Sequence, residues 1–98
     1  MKIVINTCCG SFNLSLAGRQ RYIELSGSEP ANWFTMNRTD KHLVQVVEEL
    51  GPLASGRFSD LTVVDITPGR WYRIEELPTG VERIRYRDID DDWCLATE

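Results

Sequence analysis

Residues that make redox, metal or disulfide sites are scarce in this chain. Its 98 residues include three cysteines and a single histidine, His42. Cys8 and Cys9 are adjacent and Cys94 stands far from them, so the cysteines do not form an even disulfide framework. The sequence also lacks the Cys-x-x-Cys spacing that is typical of zinc ligands. We therefore expect neither a metal nor another cofactor, and a reducing compartment suits the thiols.

Long apolar runs are also missing. No stretch approaches the roughly 20 apolar residues that span a bilayer, and the Met1-Lys-Ile-Val4 start lacks the apolar region and cleavage pattern of a signal peptide. We therefore expect a cytoplasmic protein with no membrane partner. Apolar residues make up 42% and charged residues 27%, an ordinary globular composition that predicts one packed domain over residues 1–98.

Basic residues are few in the second half of the chain. Residues 1–47 hold five Lys or Arg and three Asp or Glu, whereas residues 48–98 hold six and twelve. Asp88, Asp90, Asp91 and Asp92 concentrate this negative charge. The imbalance disfavours direct binding to nucleic acid and favours a partner with a basic surface. A solvated terminus that keeps the protein in solution is the alternative interpretation.

Apolar periodicity and turn residues predict the element order β-α-β-α-β-β-β. The predicted strands are residues 3–5, 32–36, 61–66, 71–77 and 81–87, and the predicted helices are residues 15–25 and about 40–50. The second helix has the clearest pattern, because Leu43, Val46, Val47 and Leu50 form one apolar stripe. Ser15 is the expected N-cap of the first helix, and Thr39 or Asp40 that of the second.

The expected fold is a single α+β domain with a mixed β-sheet of about five strands and two helices packed on one face. The last two strands form a hairpin around Pro78-Thr79-Gly80, with Tyr72 and Ile74 on the buried face and Glu75 pointing outward. The face opposite the helices is expected to be open for a homodimer or another partner.

Several segments, taken in order, resemble a family of small bacteriophage and prophage proteins of mostly uncharacterised function. The segments are Met1-Lys-Ile-Val-Ile-Asn6 with Cys8-Cys-Gly-Ser-Phe-Asn-Leu-Ser15, Arg38-Thr-Asp40 with Leu43-Val-Gln-Val-Val-Glu-Glu-Leu-Gly51, Ala54-Ser-Gly56 with Leu61-Thr-Val-Val-Asp-Ile66, and Arg73-Ile-Glu-Glu-Leu77 with Gly80-Val-Glu82. The chain departs from that family at Ser11, where a second glycine is usual, and over residues 88–98. If position 11 requires a positive φ, Ser11 costs roughly 1 kcal/mol there.

The resemblance implies a protein that binds and inhibits a macromolecular machine of the bacterial host, for example an anti-CRISPR-like inhibitor of a defence complex. The expected partner is a host protein or ribonucleoprotein with a basic surface. The residues expected to contact it are Asp88, Asp90, Asp91, Asp92, Glu75 or Glu76, and Trp93 or Trp71 as an anchor.

Two other functions remain open from the sequence. The chain could sequester a nucleotide or another small ligand through the backbone of Thr7, Cys8, Cys9, Gly10 and Ser11, at the amino end of the first helix, with Arg38 or Arg19 neutralising a phosphate. No Walker sequence supports this hypothesis. A cysteine enzyme with Cys8 or Cys9 as nucleophile and His42 as base is the third hypothesis, and no catalytic signature accompanies it. We therefore expect a protein that is not an enzyme.

Overall fold

The computed structural model describes residues 1–86 and 94–97. Within this part of the chain lie two α-helices, one 3₁₀ helix, four strands of five or six residues and one two-residue strand. In chain order they are β1 (Lys2–Asn6), α1 (Leu16–Ser26), α2 (Lys41–Leu50), the 3₁₀ helix (Gly51–Ala54), β2 (Leu61–Asp65), β3 (Trp71–Glu76), β4 (Glu82–Tyr86) and β5 (Cys94–Leu95).

The strands form two antiparallel sheets. β1 pairs with β2, and β3 pairs with β4 on one side and with β5 on the other. The α+β class of the domain is confirmed, but the prediction of one mixed sheet of five strands is wrong.

The predicted strand at residues 32–36 is instead a turn. The side-chain oxygen of Asn32 accepts a hydrogen bond from the N–H of Phe34 at 2.8 Å, and its carbonyl oxygen accepts one from Thr35. An asparagine that hydrogen-bonds the backbone two residues later stabilises a turn rather than an extended strand. The aromatic residues of this segment belong to that turn.

β1 is buried on both faces. Val4 belongs to the larger apolar cluster, which includes Leu43 and Val46 of α2. Its neighbour Ile3 belongs to a second cluster with Tyr72 of β3. Because successive residues of a strand point to opposite faces, the second sheet covers the face that the helices leave free. The expectation of an open sheet face there is wrong.

The two helices begin where the sequence predicts. The side-chain oxygen of Asp40 accepts hydrogen bonds from the first turn of α2, and Ser15 Oγ accepts one from the N–H of Gly18 in α1 at 3.0 Å. α2 packs directly against β1 and β2, whereas α1 packs mainly against α2 and the 3₁₀ helix. The prediction that both helices lie on the sheet therefore holds for α2 alone. No helix within the described residues has the length and apolarity to cross a membrane.

Candidate functional site

The outer edge of β1 is covered by an ion pair, which we call the edge clamp (Arg38 and Glu82). The N–H of Val4 donates to the Arg38 carbonyl oxygen at 2.9 Å, and the N–H of Asn6 donates to Glu82 Oε1 at 2.7 Å. The Arg38 guanidinium donates to both Glu82 carboxylate oxygens, with 2.9 Å between Nη2 and Oε2. Glu82 is only 4% exposed. Charged and backbone donors therefore converge on one buried carboxylate.

Arg38 is held from a second side by an aromatic ring. Its guanidinium carbon lies 3.7 Å from the centre of the Phe12 ring, a cation–π distance. The sequence predicts Arg38 as a counter-charge for a ligand phosphate. In the structure Glu82 already neutralises its charge, and the chain order gives no signal for this pairing because the two residues are 44 positions apart.

Asn6 joins three segments of the chain. It is fully buried, and its side-chain Nδ2 donates to the carbonyl oxygens of Cys8 at 3.0 Å and Gly80 at 3.3 Å. Its Oδ1 accepts from the N–H groups of Cys8 and Asp60 at 3.1 and 2.9 Å. The first turn, the hairpin turn and the segment before β2 therefore meet at one amide group.

Two glycines pack backbone to backbone beside Asn6. Gly10 has a φ of 131° and Gly80 a φ of 94°. A Cβ on Gly80 would lie 1.6 Å from the Gly10 carbonyl oxygen, so no larger residue fits. Ser11 is absent from the described residues with positive φ. The expected cost of a serine at position 11 therefore does not arise, because Gly10 provides the left-handed position.

The backbone donors of the first turn are largely used within the fold. Thr7 N–H donates to Asp60, Cys8 N–H to Asn6 and Gly10 N–H to Thr79. The turn is also separate from the start of α1, because Phe12, Asn13 and Leu14 stand between it and the N-cap Ser15. Few N–H groups of the turn are therefore left for an anion, and the ligand site at residues 7–11 stays a prediction.

Cys8 and Cys9 form no hydrogen bond with His42 within the described residues. Cys8 is half-buried in the first turn and Cys9 is exposed. His42 lies in the first turn of α2, with its ring edge-on to Tyr22 at 6.2 Å between centres. Across residues 1–86 no hydrogen bond joins His42 to either cysteine, and in the part of the chain that the structure describes no three His, Cys, Asp or Glu side chains are placed to hold a metal ion.

Glu75, a predicted partner contact, is already paired inside the hairpin. Its carboxylate accepts from the guanidinium groups of Arg83 and Arg85. Hydrogen bonds from Arg85 and then Arg83 hold the pKa of Glu75 below its usual value. Glu76 is exposed at the end of β3, and Trp71 at its start is partly exposed. The Glu75 carboxylate is therefore already neutralised within the hairpin, whereas Glu76 is exposed.

Most of the predicted acidic contact lies outside the described residues. This applies to Asp88, Asp90, Asp91, Asp92 and Trp93. The remaining charges balance, because residues 1–86 and 94–97 hold ten Lys or Arg and ten Asp or Glu. The net charge of −4 therefore resides entirely in residues 87–93 and 98.

Two clefts lie on either side of the segment before α2. One, of about 400 Å³, is lined by Met1, Lys2, Thr39, Lys41, Val44 and Asp65. The other, of about 230 Å³, is lined by Ile3, Asn37, Arg38, Thr39, Tyr72, Arg73 and Ile74. Neither is lined by residues 7–11, so the predicted ligand turn does not open into either cleft.

Six side chains, five of them exposed and Arg19 half-buried, form a further surface that the sequence did not reveal, and we call it the arginine–aromatic face. Its members are Leu16, Arg19, Phe34, Leu53, Arg57 and Phe58. The large apolar members are 54% to 83% exposed. A burial pattern was predictable for the helices, but exposed aromatic residues in turns carry no periodic signal.

Asn13 connects the two halves of the arginine–aromatic face. Its Oδ1 accepts from Arg19 Nη2 at 3.1 Å, and its carbonyl oxygen accepts from the N–H of Gly56 at 2.8 Å. The Arg19 guanidinium carbon lies 5.8 Å from the Phe34 ring centre, and that of Arg57 lies 5.1 Å from the Phe58 ring centre. Each half therefore places a guanidinium beside an exposed ring.

Comparison with family models, with curated proteins and with solved structures finds no match for this chain. The resemblance to small phage proteins therefore stays a prediction. The function is interpreted from the geometry and charge of the chain itself.

Proposed function

We propose that this domain is a binding module that recognises a basic surface on a host protein or ribonucleoprotein and inhibits it by occupying that surface. The acidic residues Asp88, Asp90, Asp91 and Asp92 provide the contact, and Trp93 is its apolar anchor. The bacterial host and the inhibition are proposed from the resemblance to phage proteins. Recognition of this kind needs complementary charge and shape and no active site.

The distribution of charge carries this proposal. The described residues contain equal numbers of acidic and basic side chains, so the negative charge of the protein is confined to residues 87–93 and 98. Five acidic residues there stand against one arginine, Arg87. A concentrated charge raises the association rate with a complementary surface much more than the same charge spread evenly.

The contacts that polar side chains make inside the fold support a binding function rather than a catalytic one. Arg38 and Glu82 neutralise each other, and Asn6 satisfies the backbone of the first turn. Cys8 and His42 have different neighbours. Because these candidate catalytic and ligand-binding groups make structural contacts and no hydrogen bond joins Cys8 to His42 in the described residues, the geometry supports surface recognition.

Affinity purification from host lysate tests the proposal. The unaltered chain is expected to retain a stoichiometric protein partner, and binding should weaken as salt rises because exposed charges are screened. Replacing Asp88, Asp90, Asp91 and Asp92 with Asn should weaken binding of that partner by about tenfold or more. The activity of the captured machine, measured with and without the chain, tests inhibition.

A matched variant controls for the change in total charge. Glu24→Gln, Glu29→Gln, Glu48→Gln and Asp65→Asn remove the same number of exposed carboxylates elsewhere on the domain. This variant should retain the partner. Equal loss in both variants, or full binding after neutralisation of residues 88–92, contradicts the proposal.

A further inference from the structure

Arg19 and Arg57 have no carboxylate partner within the described residues. Among residues 1–86 and 94–97, no acidic group lies within ion-pair distance of either guanidinium. Arg21, Arg38 and Arg83, in contrast, each pair with a glutamate. The positive charge on the arginine–aromatic face is therefore available to an acidic group from outside the described fold.

Arg19 also has an unused donor inside this surface. Its Nε is buried and has no hydrogen-bond partner in the described structure. Its guanidinium carbon lies 5.3 Å from the Trp33 ring centre and 5.8 Å from that of Phe34. A guanidinium beside two rings can donate hydrogen bonds to a carboxylate while an apolar side chain contacts the rings.

Phe58 has an unfavourable backbone conformation and an exposed aromatic side chain. Its φ is 59°, a left-handed conformation that bulky residues rarely adopt, and its side chain is 68% exposed. Neither feature stabilises the isolated domain, since glycine or asparagine would fit this backbone better. A strained backbone that presents an aromatic ring to solvent is a recurrent property of binding positions.

Two leucines extend the same surface. Leu16 is 83% exposed and precedes Arg19 by one helical turn, so the two side chains are neighbours on α1. Leu53 is 72% exposed, and its carbonyl oxygen accepts from Ser15 Oγ at 2.6 Å, which places it beside the start of α1. Both leucines therefore lie at the start of α1, which also carries Arg19.

We propose that the arginine–aromatic face is a second binding surface, which takes an acidic protein segment that carries leucine or aromatic side chains. Carboxylates of this segment pair with Arg19 and Arg57, and its apolar side chains pack on Phe34, Phe58 and the leucines. This partner is acidic, whereas the partner proposed for residues 88–92 is basic, so this surface is distinct from the proposed acidic contact.

The composition of the face favours protein over nucleic acid. Single-stranded nucleic acid binds to aromatic rings within strongly basic grooves. Here two arginines stand in a chain with a net charge of −4, and two exposed leucines offer nothing to a base or a phosphate. Apolar anchors with a few arginines are instead typical of the centre of protein interfaces.

Selection from a display library of random short peptides tests this second surface. The selected peptides are expected to combine Asp or Glu with Leu, Phe or Trp. Phe58→Asn should weaken their binding by about tenfold or more, and so should Arg19→Gln with Arg57→Gln. Because asparagine tolerates the left-handed backbone, Phe58→Asn should keep or raise the thermal unfolding midpoint, which separates contact from folding.

Two matched variants lie away from the face. Arg70→Gln removes another arginine that stacks on a ring, that of Tyr86, and Leu95→Asn removes another exposed leucine. Both should bind the selected peptides within about twofold of the unaltered chain. Replacing Asp88, Asp90, Asp91 and Asp92 with Asn should also leave peptide binding unchanged. Peptide binding therefore tests the second surface independently of the proposed host contact.

Three results would overturn the second surface. The first is a selection that yields no peptides, or peptides without an excess of acidic residues. The second is peptide binding that Phe58→Asn does not change. The third is Phe58-dependent binding of single-stranded oligothymidylate in place of peptide. The last result would assign the face to nucleic acid.

Discussion

At the scale of single residues, Glu82 makes the most consequential contacts of the described domain. Its carboxylate accepts one backbone N–H from β1 and two N–H groups from Arg38. A buried carboxylate with these partners stabilises the fold only while all of them are present. The edge clamp is therefore sensitive to loss of either member.

Glu82→Ala is expected to lower the free energy of unfolding by about 3–5 kcal/mol, because it leaves the Arg38 guanidinium without its counter-charge. Urea unfolding followed by circular dichroism measures this change. Replacing both members, with Arg38→Met and Glu82→Leu, should recover part of the loss. Glu48→Ala, which removes the exposed partner of Lys2, should have a much smaller effect. Equal effects of Glu48→Ala and Glu82→Ala would contradict this role.

Tyr22 links the two helices through a titratable group. Its hydroxyl donates to Asp40 Oδ2 at 2.7 Å, and burial, with help from Asp40, raises the pKa of Tyr22 above its usual 10.0. The folded state therefore keeps a proton that the unfolded state releases near pH 10.0. The resulting stability is complete below that pH and is lost as the pH rises through the pKa of the folded state.

Tyr22→Phe should lower the unfolding free energy by about 1 kcal/mol near neutral pH, since it removes the hydrogen bond to Asp40. It should also make the decline in stability above pH 10.0 shallower than in the unaltered chain. Urea titrations at several pH values measure both effects. Parallel stability curves for the two proteins would show that Tyr22 does not contribute to the alkaline loss.

At the scale of elements, the hairpin of β3 and β4 is fixed at its tip by the first turn. Gly80 meets the carbonyl oxygen of Gly10, and the N–H of Gly10 donates to Thr79 at 2.8 Å. Gly69 has nearly the same backbone, with a φ of 90°, but a Cβ there would meet nothing within 4 Å. Substituting each of the two glycines with alanine therefore distinguishes the cost of backbone strain from the cost of a steric clash.

Gly69→Ala is expected to cost about 1–2 kcal/mol, which is the strain of alanine at positive φ. Gly80→Ala should cost more, because the two turns must also move apart. Unfolding free energies of the two variants measure the difference. Equal costs would show that the contact with Gly10 contributes nothing beyond the φ requirement.

Elements with a local signal were predictable from the sequence. The stripe of Leu43, Val46 and Val47 gave α2, which lies at Lys41–Leu50 as expected, and Ser15 gave the start of α1. The hairpin turn is also confirmed. Residues 32–36 are short, aromatic and flanked by turn residues, which predicted a strand, but Asn32 instead begins a turn. Local propensity did not show that Asn32 would hydrogen-bond its own backbone.

At the scale of the whole molecule, β1 joins two apolar clusters. Ile3 packs into the cluster of the second sheet and Val4 into the cluster of the helices. If β1 detached from one cluster, it would also leave the other and expose apolar surface there. The described domain should therefore unfold as one unit.

Single-tryptophan variants test this cooperativity. A chain that keeps only Trp33 reports on the helical cluster, and a chain that keeps only Trp71 reports on the second sheet. Their fluorescence should give the same urea midpoint as the circular dichroism of the same variant. A separate, earlier transition for Trp71 would show that the second sheet unfolds by itself.

The candidate sites were less predictable than the fold. Arg38 was predicted as a counter-charge for a ligand phosphate, but in the structure it pairs with Glu82, which is distant in sequence, and no local pattern connects them. The exposure of Phe34 and Phe58 depends on the turns that carry them, and turns that form by tertiary contact have no periodic signal. The acidic contact at Asp90 and its neighbours lies outside the described residues and stays a prediction.

The edge clamp has a consequence for the fate of damaged or mutated copies. A strand edge with free N–H and C=O groups is a template for pairing with other chains, and β1 contains the apolar run Ile3-Val4-Ile5. The Arg38 carbonyl oxygen and the Glu82 carboxylate occupy N–H groups of that edge in place of another strand. Copies that lose Glu82 should therefore form fibrillar aggregates that bind thioflavin, which makes this carboxylate a gatekeeper against aggregation as well as a stabilising group.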